Sequence, residues 1–125
     1  MNQDPGVLVV GPGSIGRLLA CRWALRGRRV LLLARPARQE DALARGMALT
    51  DAGGLRRPVR GPASARRERP GSASGLDPAP PEAAFFCVKA AQSQDAIRAS
   101  RPWIGPETAV VALQNGLGHE ASFRR

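Results

Sequence analysis

VLVVGPGSIGRLLACRWALRGRRVLLLAR, residues 7–35, divides into four parts. Val7 to Val10 is an unbroken apolar run, which suits a strand buried on both faces. Gly11, Gly13 and Gly16 then punctuate a turn. Ile15, Leu18, Leu19 and Trp23 fall at i, i+3, i+4 and i+8, one face of a helix, with Gly27 as its expected stop. Val30 to Leu33 reads as a second buried strand, and the stretch closes on Arg35. Strand, glycine turn, helix and strand together make a βαβ unit.

A G-x-G-x-x-G pattern alone is weak evidence. Here it follows a strand, opens a helix and sits inside a βαβ unit, the context in which such a loop binds a dinucleotide. Gly11 permits the tight turn, Gly13 leaves the backbone open to a pyrophosphate, and Gly16 lets helix and strand pack closely. Pro12, Ser14 and Ile15 complete the loop, and the helix N-terminus offers free N–H groups and a partial positive charge to the anion. A structural turn without a ligand is the alternative. The end of the second strand then selects the cofactor. NAD-binding units carry an acid there, which accepts hydrogen bonds from the ribose 2′-hydroxyl. Arg35, 19 residues past Gly16, stands in that place. A guanidinium can grip a 2′-phosphate with two hydrogen bonds, and Arg38 is near enough to help, so NADPH is expected rather than NADH.

A chain of 125 residues is one domain, or part of a larger protein. Leu, Ile, Val and Phe supply only 27 of them and the net charge is +9, so any core is small and self-repulsion opposes it. Of the 19 basic residues 18 are arginine, the exception being Lys89, and alanine, glycine and proline are abundant too. That bias reads as overall composition rather than a nucleic-acid surface. The longest arginine-rich stretch, RRPVRGPASARRERPGSASG, contains no aromatic residue on which a base could stack. Cys21 and Cys87 lie in apolar patterns without a C-x-x-C pair and read as buried, reduced thiols. MNQDPG lacks the basic start and apolar stretch of a secretory signal, and no run approaches a membrane span. A cytoplasmic protein with no membrane partner is expected.

Farther along, residues 37–46 suit a short helix, and MALTDAGGLRRPV suits two short strands around an Asp-Ala-Gly-Gly turn. Residues 56–82 hold six arginines, six prolines and three glycines, which reads mostly as a mobile loop. AAFFCVKA is a third major strand ending near Lys89, AQSQDAIRASRPW is helical until Pro102, and ETAVVAL is a fourth. A turn at Asn115 and Gly116 and the start of a helix follow. The expected fold is α/β, a Rossmann-type, doubly wound, mostly parallel sheet in one domain, residues 1–125. Its strands lie near 7–10, 30–34, 84–88 and 109–113, the first central, with helices near 15–26 and 91–100. His119, the sole histidine, has no evident partner and reads as a solvated helix residue, as do Asp95 and Glu120. No catalytic residue and no metal site is assigned.

GPGSIGRLLACRWALRG with VLLLAR, FFCVKAAQSQDAI and VVALQNGLGHE stand in an order and spacing that resembles the N-terminal domain of ketopantoate reductase (2-dehydropantoate 2-reductase), over residues 7–59 and 83–121. The glycine motif is shared by many dehydrogenases; VKA after the third major strand and QNG after the fourth are more specific. The resemblance implies an NADP-binding domain with residues 11–16 on the pyrophosphate and Arg35 on the 2′-phosphate. It implies Lys89 at the cofactor edge and Asn115 facing both the nicotinamide side and the substrate, with Gln92 placed to line the same crevice. The implied reaction is NADPH-dependent reduction of ketopantoate to pantoate, in pantothenate and coenzyme A biosynthesis. The family's C-terminal helical domain, which supplies a catalytic lysine and an acidic substrate-gripping residue, is absent from this sequence, and residues 56–82 do not resemble the family's strand-containing linker. The expectation is therefore a cofactor-binding half that meets a small 2-oxo acid only when a second domain completes it. Two alternatives stay open: a non-catalytic NADP-binding module paired with a separate helical domain, and an arginine-rich nucleic-acid binder, which VKA and QNG disfavour.

Overall fold

Successive side chains of a strand point to opposite faces, so an unbroken apolar run needs cover on both. The computed structural model describes residues 4–11, 13–33, 47–59, 63–64, 80–113 and 123, and supplies that cover. Strands β1 (Val7–Val10), β2 (Val30–Leu33), β5 (Ala63–Ser64), β6 (Ala83–Phe86) and β7 (Ala109–Ala112) form one sheet in the order β5-β2-β1-β6-β7. Every pairing in it is parallel, with Val7 opposite both Val30 and Ala83. β3 (Met47–Thr50) and β4 (Arg56–Val59) make a separate antiparallel hairpin. The Asp51 carboxylate closes its turn by accepting from the backbone N–H groups of Gly53 and Leu55, both at 2.9 Å. The expected parallel α/β sheet with β1 at its centre is what forms.

On one face of the sheet Leu8, Val10, Leu31, Leu33, Ala84 and Phe86 are buried under α2 (Ser93–Ser100), Trp103, Ile104 and Phe123. On the other, Val7, Val9, Val30 and Leu32 are buried under α1 (Ser14–Leu25). Full burial of such a side chain is worth about 1.5–3 kcal/mol. Helices on both faces make the sheet doubly wound. A short 3-10 turn, Ala90–Gln92, leads into α2, and a second, Arg101–Trp103, leaves it. No helix among the described residues is long and apolar enough to cross a membrane.

The structure corrects two expectations. The stripe of Ile15, Leu18, Leu19 and Trp23 is not the buried face of α1: Ile15 and Leu18 are exposed, and Gly16 and Ala20 face the sheet, with Trp23 and Ala24 half-buried beside them. The helix starts so close to β1 that only small side chains fit between them. The two short strands expected in MALTDAGGLRRPV form, Arg56–Val59 pairing with β3. The loop expected over residues 56–82 gives way further at Ala63–Ser64, which pairs with the free edge of β2, Leu31 opposite Ala63. Backbone pairing needs no apolar sequence, so composition hides it. Residues 60–62 and 65–79 lie outside the described residues, as do the helix expected at 37–46 and the turn at Asn115. Phe123 is helical and meets Phe86 edge-on, ring centroids 4.8 Å apart.

At the opposite end of the sheet from the glycine turn, three segments are tied by charge. Arg28 donates to the Asp4 carboxylate at 2.8 and 3.1 Å and also to Glu82. Asp4 accepts further from the backbone N–H groups of Gly6 and Arg29. These donors, Arg28 foremost, hold the Asp4 carboxyl well below the usual carboxylate range, outweighing the opposite push of burial. Arg29 donates to the carbonyl of Pro5.

Candidate functional site

The glycine turn is built where β1 ends. The Gly11 N–H donates to the Leu33 carbonyl at 2.9 Å, and the Cys87 N–H donates to the Val10 carbonyl at 2.8 Å, so the ends of β2 and β6 hold it from both sides. Gly11 has φ +108, and a Cβ there would lie 2.7 Å from the Cys87 carbonyl oxygen and 2.9 Å from Val88 Cγ1. Only glycine fits both the backbone angle and the space. A Cβ on Gly16 would sit 2.0 Å from the Gly11 carbonyl oxygen, so the first turn of α1 is pressed onto the loop it follows.

Gly13 differs from both. Its φ is −67, and a Cβ there would meet nothing within 4 Å. Nothing in the described fold demands a glycine at this position; a ligand that approaches the backbone would. Gly13 is also the N-cap of α1, with no side-chain cap and no acid in the first turn. The N–H groups of Ser14, Ile15 and Gly16 precede the first intrahelical bond, Arg17 N–H to the Gly13 carbonyl at 2.9 Å, and meet no acceptor among the described residues. An uncapped helix start behind a glycine with open space in front suits an anion.

The parallel register carries the other expected residues to the same edge. β1 and β6 end level, Val10 opposite Phe86, so exposed Lys89 and half-buried Gln92 lie beyond the carboxyl end of the strand next to the glycine turn. The Gln92 N–H donates to the Lys89 carbonyl at 2.8 Å, which closes that corner. Pro12, Arg35 and Asn115 fall outside the described residues, and so do Arg38 and His119; β2 and β7 end at Leu33 and Ala112, two and three residues before Arg35 and Asn115. Asp95 is exposed, as expected of a helix-surface charge. Sequence reading gave Cys87 only as a buried thiol and Val88 only as part of VKA; it did not show that both back Gly11. Burial pushes the pKa of both Cys87 and Cys21 up, which disfavours the thiolate form.

A family model, ketopantoate reductase PanE/ApbA, matches residues 7–125. The chain belongs to that family. The match includes residues 60–82, where the sequence resemblance lapsed. Among solved structures, 2-dehydropantoate 2-reductase from Methylococcus capsulatus is 27% identical, with a TM-score of 0.69 over 93% of this chain and 35% of that one. The PanE/ApbA family ketopantoate reductase from Ralstonia eutropha JMP134 is 28% identical, with a TM-score of 0.66 over 88% of this chain and 34% of that one. A D-mandelate dehydrogenase solved with NADH and anilino(oxo)acetate, 20% identical, shares the fold at a TM-score of 0.71 over 92% of this chain and 35% of that one. The ketopantoate reductase family chain thus spans about a third of the length of the structures it matches. No curated protein matches it.

Proposed function

We propose that this chain is the NADPH-binding half of a ketopantoate reductase-type enzyme, which reduces a small 2-oxo acid when a helical domain completes it. The observation that carries the proposal is Gly13, a glycine the described fold does not need, at the uncapped start of α1. In this reading residues 11–16 bind the pyrophosphate through backbone N–H groups, and Arg35 holds the 2′-phosphate. Lys89 borders the cofactor, and Asn115 orients the nicotinamide side and the substrate. NADPH supplies the hydride when bound. No residue of this chain is assigned to protonate the product alkoxide, so that task falls to the completing domain. The fold alone does not choose between cofactors, since it also serves an enzyme solved with NADH; the choice rests on Arg35. The reading as a non-catalytic module differs only in whether turnover follows binding. Arg28 and Arg29 are engaged within the chain, which weakens the reading as a nucleic-acid binder.

Fluorescence titration tests the assignment. NADPH is expected to bind more tightly than NADH, and Arg35→Asp to erase or reverse the preference while leaving NADH binding largely intact. Equal affinities at moderate salt, where general attraction to a chain of charge +9 is screened, refute it.

A further inference from the structure

Arg17 sits in the first turn of α1, its backbone N–H bonded to the Gly13 carbonyl. That end of a helix carries a partial positive charge, which a cation opposes and an acid would favour. The turn contains no acid. The Arg17 side chain is exposed, and among the described residues it makes no ion pair and no hydrogen bond. Arg22, in the last turn, complements the helix dipole; Arg17 works against it and gains nothing from the described fold. Its direction is fixed by its neighbours. Gly16 and Ala20 face the sheet. On one side of that line Trp23 reaches Phe85 of β6, ring centroids 4.7 Å apart. At about 3.6 residues per turn, Arg17 leaves the line on the other side, in the row of Cys21 and Ala24. β2 flanks β1 opposite β6, and α1 packs against it. The last residue of β2, Leu33, is bonded to Gly11 at the same end of the sheet. Arg17 therefore lies on the flank of α1 turned toward the carboxyl end of β2.

We propose that Arg17 is a specificity residue for the cofactor, donating to the 2′-phosphate of NADPH from the first turn of α1. The inference rests on the cofactor reading above. In a dinucleotide-binding unit the pyrophosphate lies at the helix N-terminus and the adenosine ribose at the end of the second strand. The flank of α1 that carries Arg17 faces that ribose. A phosphate monoester there brings close to two negative charges and three acceptor oxygens. One guanidinium covers two of those oxygens, which leaves acceptor and charge for a second. The anion also removes the conflict between the Arg17 cation and the helix dipole. NADH offers only a hydroxyl at this position and relieves neither.

The test titrates NADPH and NADH, at moderate salt, into the full 125-residue chain and its variants Arg17→Gln, Arg17→Lys and Arg22→Gln. Arg17→Gln should weaken NADPH about tenfold, the loss of one charge-assisted hydrogen bond, and change NADH by less than about twofold. Arg17→Lys should recover part of the loss, since it keeps the charge without the planar fork. Arg22→Gln removes the same charge from the exposed face of α1 and should leave both affinities unchanged. The thermal midpoint of Arg17→Gln should hold or rise, because a cation leaves the positive end of the helix. If the original chain favours NADPH and Arg17→Gln keeps that preference, this inference falls and the cofactor reading stands. Equal weakening of NADPH and NADH would place Arg17 on the pyrophosphate instead and overturn it. So would a loss of NADPH affinity in Arg22→Gln as large as in Arg17→Gln, which would reduce the effect to general charge. An original chain that binds both cofactors alike, or neither, refutes the cofactor reading and this inference with it.

Discussion

Gly13 and Gly16 stand three residues apart in one motif, and their surroundings demand different consequences of the same substitution. At Gly16 a methyl group meets the Gly11 carbonyl oxygen at 2.0 Å, a backbone atom that cannot swing aside. Gly16→Ala should therefore cost about 1–3 kcal/mol of stability, as overpacking does, read from the urea midpoint. At Gly13 the methyl enters open space at an ordinary φ of −67, and the entropic gain of about 0.4–1 kcal/mol is offset by alanine's poorer fit at a helix N-cap, so Gly13→Ala should leave stability nearly unchanged. The same change should weaken NADPH binding, because the methyl stands where the pyrophosphate would approach. An alanine at residue 13 that binds NADPH normally would remove the ligand from the explanation of that glycine. Asp4 gives a second prediction at this scale. Its folded pKa lies below the ordinary value of 3.8, so the stability it contributes is present above that value and is lost as pH falls below it. Asp4→Asn should lower the urea midpoint at pH 7 and flatten its decline between pH 5 and pH 2. A parallel decline in both proteins would show that the clamp with Arg28 does not govern the acid limb.

Helix α1 was legible as an element and illegible as a surface. Its start, length and stop follow from the glycines and the apolar spacing, and it ends at Leu25 with Gly27 just beyond. Its inner face does not follow, since periodicity ranks large apolar residues while contact with β1 selects small ones. The distinction can be measured. Ala20→Leu forces a large side chain into the seam and should cost about 1–3 kcal/mol. Leu18→Gln, on the exposed face, should change stability by no more than about 0.5 kcal/mol. If Leu18→Gln is the more damaging in urea denaturation, the face assigned to α1 is reversed. The same limit of pattern reading explains β5: two residues, Ala63–Ser64, carry no periodicity, and only the open edge of β2 makes them a strand.

For the whole molecule, the question is whether binding leads to turnover. Reduction of a 2-oxo acid needs its carbonyl held at the cofactor and a proton for the alkoxide, and general acid catalysis alone contributes about 10²–10⁴-fold. The chain by itself should bind NADPH and yet oxidise it with ketopantoate no faster than a protein-free control. Following NADPH absorbance with the original chain and Lys89→Ala decides the matter. Robust turnover that vanishes in Lys89→Ala would place the chemistry in this half and make exposed Lys89 its proton donor.

The sequence by itself determined β1, α1, β2, the β3–β4 hairpin, β6, α2 and β7 in their order, the parallel sheet with β1 at its centre, the glycine turn at the carboxyl end of β1 and the family. Those features rest on local signals: unbroken apolar runs, glycines at fixed spacing, and short motifs at strand ends. Tertiary structure decided the rest. It showed that Gly11 is held by Cys87 and Val88, that Gly16 is pressed onto Gly11, and that Gly13 is free of both constraints. It turned Ile15, Leu18 and Leu25 of α1 outward, and it made a strand of Ala63–Ser64, whose composition reads as loop. In each case the deciding contact joins residues far apart in the chain or depends on how closely two backbones approach, and neither leaves a periodic trace in the order of amino acids.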